Sequence, residues 1–125
     1  MRMIEQEIIS ALQKGKDFCT PNVQDMYRKK EGHRDVITWS KEYGGLFSYK
    51  LWGHTIAAGD TFYNNLTIAD CGYPTATTKS RINAVFAAFD IPMSCSVKNK
   101  KMVFYLHGKE VSGPDIKADD WTVNV

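Results

Sequence analysis

The 125-residue chain lacks any apolar run near the roughly 20 residues of a membrane-spanning helix, and Met1 to Gln6 lacks the basic-then-apolar layout of a secretion signal. A cytosolic protein without a membrane partner is the expectation. The three cysteines, Cys19, Cys71 and Cys95, form no C-x-x-C pair and are odd in number, which points to free buried thiols in a reducing compartment rather than a disulfide frame. His33, His54 and His107 are scattered too widely for a zinc module, and Asp115, Asp119 and Asp120 have no EF-hand register, so no metal or other cofactor is expected. Charge of one sign is also missing. A net charge of +2 is too mild to announce a nucleic-acid binder and excludes the acidic surface of a DNA mimic. No phosphate loop or recognisable nucleophile and base pair occurs, and an enzyme is not expected.

What the chain does have is apolar area. Hydrophobic residues make up 43%, with six Phe, six Tyr and three Trp, enough to offset the chain entropy of one folded domain over residues 1–125. Ile4, Ile8, Ala11 and Leu12 recur at helical spacing up to Gly15, which suits a left-handed helix end. The stretch from Asp25 to Gly32 is charged and aperiodic and reads as a connecting loop, followed by a strand at Val36 to Trp39. Leu46 to Trp52 alternates into a hairpin at Gly53-His54, and a short strand follows at Leu66 to Ala69. Ile82, Val85, Phe86 and Phe89 mark a second helix behind Thr75, Thr77 and Thr78, bounded by Pro92. Strands at Ser94 to Val97, Met102 to Leu106 and Trp121 to Val125 complete the pattern, with the Asp115 to Asp120 stretch read as a solvated loop.

An internal similarity organises these elements. Segment 46–70 aligns without a gap on segment 101–125, placing Leu51 on Leu106, Gly53 on Gly108, Asp60 on Asp115 and Thr67 on Thr122. A helix precedes the strands in both halves, so the fold class is α+β: two helix-plus-three-strand (αβββ) units, 1–70 and 75–125, related by a pseudo-repeat and built on antiparallel sheets. The first half carries about eighteen extra residues, Met26 to Tyr43, and the alignment leaves open whether the sheets join edge to edge or sandwich the helices.

Two groups of residues are candidate sites. Tyr27, Arg28, Lys29, Lys30 and Trp39 lie in the extra segment, where aromatic and arginine anchors free of core constraints suit a partner-binding surface. Thr77, Thr78, Lys79 and Arg81 open the second helix, where free N–H groups, hydroxyls and two cations suit a phosphate.

The run Thr77-Thr78-Lys79-Ser80-Arg81-Ile82-Asn83-Ala84, preceded by Leu51-x-Gly53-x-x-Ile56-Ala57 and Asp70-Cys71-Gly72-Tyr73, resembles a pattern of small proteins of tailed bacteriophages. The resemblance spans most of the chain and implies a phage origin and a host-cytoplasm setting; it implies no activity. Small phage accessory proteins act more often by binding than by chemistry. The leading expectation is therefore a non-enzymatic protein that inhibits or redirects a host nucleic-acid or defence machine, in the manner of an anti-CRISPR, with a host protein or ribonucleoprotein complex as partner. Its rival is direct nucleic-acid or nucleotide binding at the second helix. A third reading is capture of a nucleotide or cyclic dinucleotide at the paired helix starts of a homodimer.

Overall fold

The computed structural model describes residues 2–25, 30–69, 71–111, 115–119 and 122–124. Two helices, α1 (Met3–Lys14) and α2 (Ala76–Ala88), accompany twelve strands among these residues. They are β1 (Phe18–Cys19), β2 (Asn22–Asp25), β3 (Lys30–His33), β4 (Asp35–Trp39), β5 (Leu46–Leu51), β6 (His54–Asp60) and β7 (Asn65–Ala69), then β8 (Met93–Lys98), β9 (Lys101–Leu106), β10 (Lys109–Val111), β11 (Asp115–Asp119) and β12 (Thr122–Asn124). The class is α+β with antiparallel sheets, and each helix is followed by strands. The large sheet runs β1-β4-β5-β6-β7-β11-β12, a smaller one runs β10-β9-β8, and β2-β3 form a separate hairpin.

Strands β5 and β7 of the large sheet obey a period of two, whereas β6 breaks it with Ile56 and Ala57 both buried beside a register shift. In β5, Phe47, Tyr49 and Leu51 are buried while Leu46 and Lys50 are exposed, and in β7 Leu66 and Ile68 are buried between exposed Asn65 and Thr67. Strands β5 and β7 thus turn one face to the core and the other outward. Ile8, Ala11 and Leu12 of α1 contribute to the same core, and α1 ends as its sequence suggests: Gly15 takes φ 63°, and its N–H reaches the carbonyls of Ala11 and Leu12.

Helix α2 is buried on nearly every side, including Ile82, Ala84, Val85, Phe86 and Ala88, because it serves both sheets. Towards the large sheet, Phe89 at its end stacks on Phe47 with centroids 5.4 Å apart. Towards the small sheet, Phe86 meets Phe104 edge-on, and the Asn83 amide both donates to the Cys95 carbonyl at 3.0 Å and accepts from the Cys95 N–H at 2.8 Å. A side-chain amide thus completes the edge of β8 where a strand would otherwise pair.

The repeated hairpin is visible in the backbone. β9 is β5 shifted by 55 residues, and the turns match: Trp52 and Gly53 have φ of 49° and 83°, His107 and Gly108 have 50° and 80°. Positive φ at both central residues belongs to a type I′ turn, which needs glycine or a residue tolerant of the left-handed region. The pairs Leu51↔His54 and Leu106↔Lys109 close the turns identically. β4 and β8 flank them in the same way, with Ile37 opposite Tyr49 and Cys95 opposite Phe104.

Beyond the hairpin the halves diverge, and several sequence expectations are corrected. The third strands are not equivalent: β7 pairs with β6, whereas its counterpart by the repeat, β12, pairs with β11, a strand with no equivalent in the first half that joins β7 of the large sheet. The stretch read as an acidic loop is thus strand β11. Of the charged stretch read as a connecting loop, Asp25 closes β2 and Lys30 to Gly32 belong to β3, with Asp25 paired to Lys30. Because β4 has a counterpart in β8, the extra piece of the first half is the β1–β3 region rather than Met26 to Tyr43. Of the thiols only Cys95 is buried; Cys19 and Cys71 are exposed.

Candidate functional site

The two candidate groups fare differently. Tyr27, Arg28 and Lys29 lie outside the described residues, and Lys30 opens β3. Trp39 closes β4, half-buried, with its backbone N–H donating to Asp17 Oδ1 at 2.7 Å and its ring on Phe47 at 5.1 Å. At the start of α2, Thr77 is exposed and Lys79 half-exposed. Thr75 is the cap, its hydroxyl accepting from the Thr78 N–H at 3.2 Å, and the buried Thr78 hydroxyl bonds that of Thr75 at 3.0 Å.

Arg81 points away from any ligand at the helix start. Its side chain is 3% exposed and its Nε donates to Asp35 Oδ1 at 2.8 Å. One turn into the helix, the side chain faces the large sheet, so the four residues proposed for a phosphate do not act together. Thr78 and Arg81 are internal; Thr77 and Lys79 remain at the surface. Trp39, whose cleft-mates include Phe89 beyond the far end of α2, is separated from Thr77 by about 18 Å of helix.

Asp35 is the centre of a buried polar cluster that the sequence did not announce. Its carboxylate accepts from Arg81, from the Tyr49 hydroxyl at 2.6 Å and from Arg34 Nε at 2.7 Å, and its backbone N–H donates to the Thr20 hydroxyl at 2.9 Å. Arg81 continues through Ser80 to Glu5 of α1, with Ser80 donating to Glu5 at 2.7 Å. That hydroxyl holds the Glu5 carboxyl below its ordinary range. Tyr49 is pushed far above the usual tyrosine range, first by burial and then by the Asp35 charge, so it stays a neutral donor. With every acceptor engaged internally, this cluster reads as a lock between β4, β5 and α2. The available clue was an acid standing in register with Ile37 on the inward face of β4.

The more exposed chemistry lies at the other end of the sheet. The β4–β5 loop and the β6–β7 turn are tied together, because the Thr61 N–H and hydroxyl both donate to the Gly45 carbonyl, at 2.8 and 3.2 Å. Asp60 Oδ1 accepts from the N–H groups of Phe62 and Tyr63, fixing the turn. Three aromatic rings stand out from these loops: Tyr43 is 66% exposed, Phe62 78% and Tyr63 64%. Beside them opens a cleft of about 740 Å³, walled by Trp39 and Phe89 and floored by the ends of both helices. Sequence reasoning named Trp39 here but missed Tyr43, Phe62 and Tyr63, whose signal was aromatic residues placed against the turn markers Gly44-Gly45 and Asn64-Asn65.

Residues 1–124 match the family described as Kyanoviridae Gp96 protein. The chain belongs to that family. The Kyanoviridae Gp96 family is a family of phage proteins, which bears out the phage origin implied by the sequence resemblance. Neither the curated proteins nor the solved structures gave a match. Among the described residues no helix of this Gp96-family chain is long and apolar enough to cross a membrane, and no three His, Cys, Asp or Glu side chains gather as metal ligands.

Proposed function

We propose that this Gp96-family protein works by binding, without catalysis, to a host protein or ribonucleoprotein complex that it inhibits or redirects, as an anti-CRISPR does. The single observation that carries this reading is the trio Tyr43, Phe62 and Tyr63, held outward on two loops that the Gly45–Thr61 hydrogen bonds make rigid. Large exposed aromatics cost solubility and are abundant at the centres of protein interfaces, where they supply much contact area at little entropic loss. Their placement on ordered loops reduces the ordering cost of association.

The test is co-purification of a tagged chain from infected host cells, comparing the wild type with the triple variant Tyr43→Ser, Phe62→Ser, Tyr63→Ser. A species that accompanies the wild type and is lost from a folded triple variant supports the reading; retention of every species by that variant defeats it. Direct phosphate or nucleic-acid binding is the second reading, favoured by one feature: the first turn of α2 holds Lys79 and no acidic residue. It predicts binding to random duplex or single strands that weakens steeply with salt and is lost with Lys79→Gln.

A further inference from the structure

We infer that the cleft beside the aromatic trio is a socket for an arginine side chain of the partner protein, an inference that rests on the protein-binding reading. Both helices end at this cleft. Gln13, Lys14 and Gly15 at the end of α1 and Ala88, Phe89 and Asp90 at the end of α2 line it together. A helix C-terminus presents carbonyl oxygens and the negative pole of its dipole, and two such ends converge here. The open acceptors are those of α1, since among the described residues no backbone N–H reaches the carbonyls of Gln13 and Lys14; at the end of α2 the Phe86, Ala87 and Ala88 carbonyls already accept from the Ile91 N–H, the Asp90 N–H and the Gln13 amide, so that end contributes its dipole and the Asp90 carboxylate. Asp90 adds an exposed carboxylate, and Ser40 and Asn64 add further acceptors.

The walls complete the match. Trp39 and Phe89 supply aromatic surface inside the cleft, and the exposed trio supplies more on the adjoining loops. A guanidinium is planar, carries five donors, is weakly hydrated and stacks on aromatic faces, so it satisfies an acceptor-rich, aromatic-walled site better than an ammonium or an apolar group. The same field disfavours a phosphate backbone, which would meet two negative helix ends and the carboxylate of Asp90. Lys14 is the one cation on the lining, and it competes with an incoming arginine.

The experiment is an amide and indole NMR titration of the whole labelled chain with Nα-acetyl-arginine methylamide, alongside the norleucine and glutamate analogues. The Trp39 indole is a local reporter: its Nε1 is closed to solvent and has no acceptor among the described residues. The expected result is saturable shifts at Trp39, Gly45 and Asp90 with the arginine probe alone, weakened roughly two- to fivefold by Asp90→Asn and strengthened by Lys14→Gln, the range a helix-end charge commands. Absence of saturation, or equal shifts with norleucine, overturns the socket. A photocrosslinking residue at Phe62 separates the two readings. Capture of a host protein through Phe62 with no arginine-specific shift sinks the socket and leaves the protein-binding reading standing. A saturating probe with no capture sinks the partner and with it the assignment of the arginine to a protein.

Discussion

Arg81 Nε donates to Asp35 Oδ1 across 2.8 Å, and neither side chain meets water to any useful extent. Helix α2 is thereby bound to the large sheet through a buried charge pair, to which the partly exposed Arg34 adds a second cation on the other oxygen of Asp35. Replacing Asp35 by Ala leaves a buried guanidinium uncompensated and costs about 3–5 kcal/mol of unfolding free energy. The double variant Asp35→Leu, Arg81→Met removes both charges and recovers much of that loss. Urea unfolding of the two single variants and the double one measures the coupling; strict additivity would show that the pair is not a unit.

Gly45 is the hinge of the aromatic loops. Its φ is +90°, and a Cβ there would stand 2.9 Å from Thr61 Oγ1 and 3.1 Å from the Phe62 backbone nitrogen. Gly45→Ala therefore both strains the backbone and pushes the β6–β7 turn away, at about 1–3 kcal/mol. Thermal unfolding should fall accordingly, and partner capture should drop more than stability alone explains. Unchanged capture would mean that the tie between the loops does not matter for binding.

Alkaline pH should destabilise the fold through two groups. Burial pushes the Cys95 thiol up to about 12, and burial with the Asp35 charge pushes Tyr49 higher still. Each raised value means that the folded state keeps a proton which the unfolded chain gives up, so the contribution is complete below the unfolded pKa and is lost as pH rises. Stability should decline by about 1.4 kcal/mol per pH unit from about pH 9, through Cys95, and more steeply above about pH 10 when Tyr49 joins. Denaturant midpoints between pH 8 and 11 check this, with Cys95→Ala expected to flatten the first segment.

Thiol chemistry gives a direct readout of the same burial. Cys19 and Cys71 are exposed and Cys95 is enclosed between α2 and β9. An aromatic disulfide reagent at pH 8 should titrate two thiols in the native protein and the third on unfolding, because an inaccessible thiol of raised pKa supplies little thiolate. Three fast equivalents would contradict the packing of β8.

Some of this molecule is written locally. Gly15 and Thr75 bound the helices because a left-handed residue and a hydroxyl cap satisfy helix-end groups within a few residues, whatever surrounds them. The twin hairpins are nearly as local: a glycine marks each turn, although the first turn falls on Trp52-Gly53 rather than on Gly53-His54, and the turn fixes the register. Periods of two and 3.6 then assign β5 and α1 their buried faces.

What no local pattern could supply is the choice among partners far apart in the chain. Asp115 to Asp119 reads as a loop opening a turn, as Asp60 does in the first half; the free edge of β7 recruits it as a strand, and edge pairing depends on which backbone groups stand open in space. Likewise Arg81 carries the same charge in the sequence whether it faces water or Asp35, forty-six residues away, and only the assembled interior turns it inward. The aromatic end of the sheet follows the same logic: the sequence contains Tyr43, Phe62 and Tyr63, but their common surface exists because β5 and β6 pair and bring two loops side by side.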